Sequence, residues 1–147
     1  MTESLHIERY IVETAERLWS ALTDVDRLAQ WFCSNPESVC DVVADVRPGG
    51  TFRIEVPNEF ELECTYVNVQ QPNLLEMEWR DKAISEQRAA VSGDASDDVE
   101  RRLVFALESS GNGTRVSVTQ TGIADAERAA WARGAWDRAL GRLTTTI

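Results

Sequence analysis

Few groups in this chain can carry chemistry: one histidine (His6), one lysine (Lys82), three cysteines (Cys33, Cys40 and Cys64) and two tyrosines (Tyr10 and Tyr66). His6 could act as an acid or base near neutral pH, but it alternates with Leu5 and Ile7, so a strand here would turn it to water. Any Ser-His-Asp or Cys-His set would need this same histidine, and nothing nearby orients it. Lys82 falls in a polar stretch that offers no Schiff-base environment. There is no G-x-S-x-G elbow, phosphate loop or H-E-x-x-H helix. The cysteines lack C-x-x-C spacing and match no structural zinc pattern, so they read as reduced, small and mostly buried. Tyr66 alternates in phase with Phe60, Leu62 and Cys64, which aims its hydroxyl inward. Arg9, on the inward register of the first strand, would need a partner, and an ion pair at the sheet edge is the simplest one. No catalytic residue, metal ligand or cofactor is assigned. The reading leans away from an enzyme.

These residues must be held by a sheet and three helices. Residues 4–13 alternate as a half-buried strand. Thr14 offers an N-cap for a helix over 15–22, whose Leu18, Trp19 and Leu22 share one face. Thr23 then begins a second helix, with Asp26 completing an approximate capping box and Val25, Leu28 and Phe32 pointing one way. A meander follows: Cys40 to Val46, Phe52 to Val56, Phe60 to Tyr66, Leu75 to Trp79, Leu103 to Leu107 and Val116 to Gln120 each alternate apolar with polar residues. Pro57-Asn58, Gln71-Pro72-Asn73 and Ser110-Gly111-Asn112-Gly113 punctuate it, and Arg47-Pro48-Gly49-Gly50 requires a tight reversal with Gly49 or Gly50 at positive φ. Residues 81–98 are polar and long for a hairpin link, either a flap or a plain surface loop. Residues 124–147 carry Ala129, Ala132, Trp136, Ala139, Leu140 and Leu143 at helical spacing, a helix roughly 35 Å long. Its Arg128, Arg133, Arg138 and Arg142 alternate with acids and read as a solvated, salt-bridged face.

The 147 residues fit a single domain, 1–147. A net charge of −10 argues against a nucleic-acid partner or an anionic membrane surface. No apolar run approaches the roughly 20 residues of a membrane span, so no membrane insertion is expected. The start, Met1-Thr2-Glu3-Ser4, is unlike a signal peptide, which points to a cytoplasmic protein.

Taken together, Arg47-Pro48-Gly49-Gly50 with Phe52, Trp31-Phe32, Trp79 and the terminal Trp136-x-x-x-Leu140-x-x-Leu143 resemble the START-like, birch-pollen-allergen-like (SRPBCC) superfamily. Within it they are most similar to the branch related to activators of the heat-shock protein 90 ATPase. The resemblance covers about residues 5–145. It implies an α+β helix-grip fold: a curled antiparallel sheet of six to seven strands, two short helices after the first strand, and a long C-terminal helix in its grip. The chain departs from the family at two places: Ala135 stands where Gly usually precedes the Trp, and Gln120 where His usually ends the last strand.

In that fold an apolar cavity lies between sheet and long helix, and superfamily members hold lipids, sterols, polyketides or plant hormones there. Alternation and resemblance together nominate Trp31, Phe52, Ile54, Phe60, Leu62, Tyr66, Met77, Trp79, Leu103, Phe105, Val118, Gln120, Trp136 and Leu140 as ligand-binding residues. The expected function is a module binding an apolar or amphipathic small molecule without a cofactor, as a monomer or homodimer. The alternatives are a chaperone-cofactor-like interaction protein, with a chaperone as partner, or a cyclase or dehydratase-type enzyme.

Overall fold

Side-chain alternation builds the sheet. The computed structural model describes residues 2–32, 40–56, 60–82 and 100–146, with the side chains of residues 56, 60, 81 and 82 outside that description. In chain order the elements are β1 (Glu3–Ile11), α1 (Ala15–Thr23), α2 (Val25–Phe32), β2 (Asp41–Ala44), β3 (Thr51–Val56), β4 (Phe60–Gln70), β5 (Leu74–Lys82), β6 (Arg102–Ser110), β7 (Gly113–Ile123) and α3 (Ala126–Thr146). The strands form one antiparallel sheet in the order β1-β7-β6-β5-β4-β3-β2. One face is apolar and covered, and the other is polar, as in antiparallel sheets with one wet side. This is the α+β helix-grip architecture that the sequence implied.

The inward faces read as expected. Phe52 and Ile54 on β3, Leu62, Cys64 and Tyr66 on β4, Leu75, Met77 and Trp79 on β5, Leu103, Phe105 and Leu107 on β6, and Val116, Val118 and Gln120 on β7 are all buried. A register shift between Tyr66 and Asn68 interrupts β4 and leaves Val67 exposed. β1 ends at Ile11, two residues earlier than its alternation suggested, and Val12 is exposed. β5 runs on through Asp81 and Lys82, and residues 83–99, most of the long polar stretch, lie outside the described residues.

The caps locate the helices. Thr14 Oγ1 accepts the Arg17 N–H at 3.3 Å and starts α1. Thr23 does not start α2: it closes α1, its hydroxyl donating to the Trp19 carbonyl at 2.8 Å. The capping role passes to Asp24, whose Oδ1 accepts the Asp26 N–H at 2.9 Å, since a carboxylate is favoured at the positive end of a helix. Of the three residues assigned to the inner face of α2, Leu28 and Phe32 are buried, but Val25 is 41% exposed in its first turn. Asp125 Oδ1 accepts the Arg128 N–H at 2.9 Å and begins α3. At 1.5 Å per residue the 21 residues of α3 reach about 32 Å.

α3 packs against β1, β7 and α2, while α2 lies against β2 and α1 against β6, so all three helices share the cover of the sheet. Arg142 corrects the expectation of a fully solvated arginine face on α3. Its Nε donates to the Trp31 carbonyl at 2.8 Å and its Nη2 to the Phe32 carbonyl at 3.2 Å, so α3 supplies the cap that the C-terminus of α2 lacks. Among the described residues no helix is long and apolar enough to cross a membrane.

Candidate functional site

The Arg47-Pro48-Gly49-Gly50 reversal positions the residue of most chemical interest. Gly49 sits at φ 85°, the left-handed region that disfavours a Cβ. At Gly50 a Cβ would stand 1.9 Å from the Asp45 carbonyl oxygen, so only glycine fits. The loop is closed by Gly50 N–H donating to the Arg47 carbonyl at 2.8 Å and by Arg47 Nε donating to Asp45 Oδ2, also at 2.8 Å. It is fastened to β4 through Tyr66, whose carbonyl accepts the Gly49 N–H at 2.8 Å and whose N–H donates to the Gly50 carbonyl at 3.0 Å. The turn therefore sets the backbone of Tyr66 from both sides.

From Tyr66 a single rung crosses the inner face of the sheet. Tyr66 pairs with Met77, Met77 with Leu103, and Leu103 with Gln120. The rung is polar at its two ends and apolar between. Three strand intervals separate those ends, about 14 Å at ~4.8 Å each.

A second path joins the same ends through the helices. Tyr66 meets Phe52 edge-on at 6.1 Å between ring centroids, Phe52 lies 6.1 Å from Phe32, and Phe32 is 5.6 Å from Trp136. The Trp136 indole N–H then donates to Gln120 Oε1 at 2.8 Å. Rung and aromatic path together close a ring of contacts between sheet and helices, with Phe105 packed edge-on against Trp136 at 5.6 Å.

Thirteen of the fourteen nominated residues have described side chains, and all thirteen are buried in this interior; the Phe60 side chain lies outside the described residues. Their places differ. Trp31 packs on Phe32 at 4.1 Å between ring centroids, its indole N–H donating to the Ala21 carbonyl at 2.8 Å to brace α1 against α2. Trp79 is anchored at the other margin, its indole N–H donating to the Thr121 carbonyl at 2.9 Å. Phe32, which alternation left off the site, is the residue that bridges Phe52 and Trp136. Helical spacing already put Phe32 on the inner face of α2, but its contacts with Phe52 and Trp136 arise from the packing of α2 against distant elements.

The interior is electrically quiet. Among the described residues Thr114 and Gln120 are the buried polar or charged side chains besides Tyr66, and the Thr114 hydroxyl donates to the Glu13 carbonyl at 2.7 Å. The Tyr66 hydroxyl is buried and has no hydrogen-bond partner among the described residues. Burial first, then the neighbouring Cys64 and Asp45, pushes its pKa well up, so it stays a neutral phenol. Burial likewise keeps Cys64 a neutral thiol. Cys64 is free, whereas Cys40 is disulfide-bonded, so the expectation of three reduced cysteines does not hold; Cys33 lies outside the described residues.

The charges sit outside. Arg53 pairs with Glu55 and Glu61, Arg80 with Glu63, and Arg102 with Glu76, Glu78 and Glu100, all from outward positions of β3 to β6 and their flanks. His6 is exposed and bonded to Thr119 Oγ1 and Glu8. Arg9, at 37% exposure, pairs with Asp137 of α3 as an edge ion pair rather than a buried charge. Among the described residues no cluster of three His, Cys, Asp or Glu is placed to hold a metal ion.

Residues 13–147 match the family model described as activator of Hsp90 ATPase homolog 1-like protein. No curated protein sequence matches the chain. Among solved structures the chain is similar to a protein from Chromobacterium violaceum, at 20% identity and TM-score 0.76 over 98% of this chain and 96% of that one. The Aha1 dimer from Colwellia psychrerythraea shares 17% identity at TM-score 0.72, covering 97% of this chain and 93% of that one. DynU16, from the dynemicin biosynthetic locus, shares 17% identity at TM-score 0.73, covering 97% of this chain and 46% of the longer one. At such identities the likeness is one of fold.

Proposed function

Given that the chain belongs to the family of activator of Hsp90 ATPase homolog 1-like proteins, we propose that it is a binding module holding an apolar or amphipathic small molecule between the sheet and the helices. The observation that carries this reading is the Tyr66 hydroxyl, buried and without a partner on the inner face of the sheet. A buried polar group left unsatisfied costs about 1–3 kcal/mol, and native structures rarely retain one without a use. The remaining surface of the ring supplies apolar and aromatic contact. A ligand hiding about 300 Å² of apolar surface would gain roughly 7 kcal/mol gross at 25 cal/mol/Å², which leaves micromolar affinity after association costs. Such binding suits carriage or sensing, in the cytoplasm and without a cofactor.

The test is fluorescence titration with N-phenyl-1-naphthylamine, a neutral apolar probe. The reading expects one saturable site with a roughly micromolar constant. Quenching of the buried Trp136 and Trp79 should follow the same curve. An unsaturable, linear rise in probe signal would reject it.

A second reading rests on the family description and on the Aha1 dimer as a structural neighbour: an interaction protein acting on a chaperone, alone or as a homodimer. It expects the chain to raise the ATPase rate of a heat-shock protein 90. The same assay without an effect, alongside probe binding, decides for the small-molecule reading.

A further inference from the structure

The two polar ends of the inner rung have a common chemical sign. An indole N–H can only donate, so the Gln120 atom that faces Trp136 must be the amide oxygen, as the 2.8 Å bond has it. The oxygen of Gln120 is thereby engaged, and the end left over is its NH2 group, which makes no hydrogen bond among the described residues. At the other end Tyr66 presents a phenolic O–H with no partner. Both free functions donate. Among the described residues no Lys, Arg, Asp or Glu side chain is buried in this interior. An anionic ligand would lose its hydration without gaining a counter-charge, and a cationic one would find no carboxylate.

Resting on the small-molecule reading, we propose that the ligand is neutral and carries a carbonyl-type oxygen that accepts the Tyr66 hydroxyl. A second acceptor oxygen, across an apolar body lying over Met77 and Leu103, faces the Gln120 amide. The spacing selects the class further. Three strand intervals set the two donors' strand positions about 14 Å apart. An extended skeleton with an acceptor oxygen at both ends suits that separation. A fatty acid does not, because its carboxylate would lie opposite groups that cannot neutralise it.

Three naphthalene probes separate the outcomes in the intact chain. N-phenyl-1-naphthylamine is neutral and carries no carbonyl, 8-anilinonaphthalene-1-sulfonate is nearly the same skeleton with an anionic group, and 6-propionyl-2-dimethylaminonaphthalene is neutral with a ketone. The expected order of affinity is ketone first, the carbonyl-free amine second and the sulfonate last. In Tyr66→Phe the ratio of ketone to amine affinity should fall roughly three- to tenfold, the worth of one hydrogen bond, and ketone emission should move to the blue as its carbonyl loses a donor. The ligand-free melting temperature of Tyr66→Phe should hold or rise, since the hydroxyl has no partner to lose. A ratio that does not move in Tyr66→Phe, or a sulfonate that binds more tightly than the amine, overturns this proposal and leaves the binding reading standing. If none of the three probes binds, both fail.

Discussion

The Trp136 indole on α3 donates to the Gln120 side-chain oxygen on β7 across 2.8 Å, and this buried bond joins the long helix to the strand at the polar end of the inner rung. Trp136→Phe removes the donor and strands the Gln120 oxygen, so a loss of about 1–3 kcal/mol is expected in urea denaturation. Adding Gln120→Leu should recover part of that loss, because an apolar pair of similar shape leaves nothing unsatisfied. Additive losses in the double variant would show that the two side chains are not coupled.

Arg142 caps α2 from another element through the Trp31 and Phe32 carbonyls. Arg142→Ala should cost about 1.5–3 kcal/mol, the range for hydrogen bonds made by charged groups. It should also loosen Phe32 and weaken probe binding. Arg138→Ala, exposed on the same helix, serves as the control and should change stability by less than about 0.5 kcal/mol. Equal effects from the two variants would remove the cap from the account.

At the reversal, Gly49→Ala should cost roughly 1 kcal/mol for a Cβ at positive φ. Gly50→Ala should cost more, on the order of 1–3 kcal/mol, since its Cβ would meet the Asp45 carbonyl and the backbone must move. Both glycines are hydrogen-bonded to the Tyr66 backbone, but only at Gly50 must the backbone shift to admit a Cβ, so the second variant should disturb ligand binding more than the first. Thermal melts paired with probe titration check both statements.

Alkaline stability follows from Cys64 and Tyr66. Burial raises both pKa values above their unfolded values of about 8.5 and 10. A raised pKa stabilises the fold fully below the unfolded pKa, and that contribution is lost as pH climbs toward the folded one. Urea midpoints should therefore hold up to about pH 8 and fall steadily between about pH 8.5 and 11. The double variant Cys64→Ala, Tyr66→Phe should flatten that decline. A midpoint insensitive to pH in the wild-type chain would contradict the burial of both groups.

Much of this architecture is legible in the sequence because a sheet with one dry and one wet face writes itself as alternation, and Phe52, Met77 and Val118 all fall where that alternation puts them. Features that depend on packing between distant elements are not legible in this way. Arg142 sits on what spacing alone makes a polar helix face, and only the approach of α2 turns it into a cap. Helical spacing puts Phe32 on the inner face of α2, but that Phe32 closes the aromatic path while Trp31 braces α1 appears only in the packing. The start of α2 passed from Thr23 to Asp24 because two capping residues stand side by side and the carboxylate wins. Gln120 is inward by register, but that its oxygen is spent on Trp136 appears only in three dimensions.

The most direct test of ligand binding in the interior is the dissociation constant of N-phenyl-1-naphthylamine for Met77→Trp, measured beside the variant's melting curve. Met77 lies mid-rung between Tyr66 and Leu103, fully buried. If the space above the rung receives a ligand, the larger side chain fills it: affinity should fall by at least about tenfold, while the melting temperature stays within a few degrees of the wild type. A wild-type chain without saturable binding, together with a loss of about 1–3 kcal/mol in Met77→Trp from overpacking, would show a filled core and contradict the account.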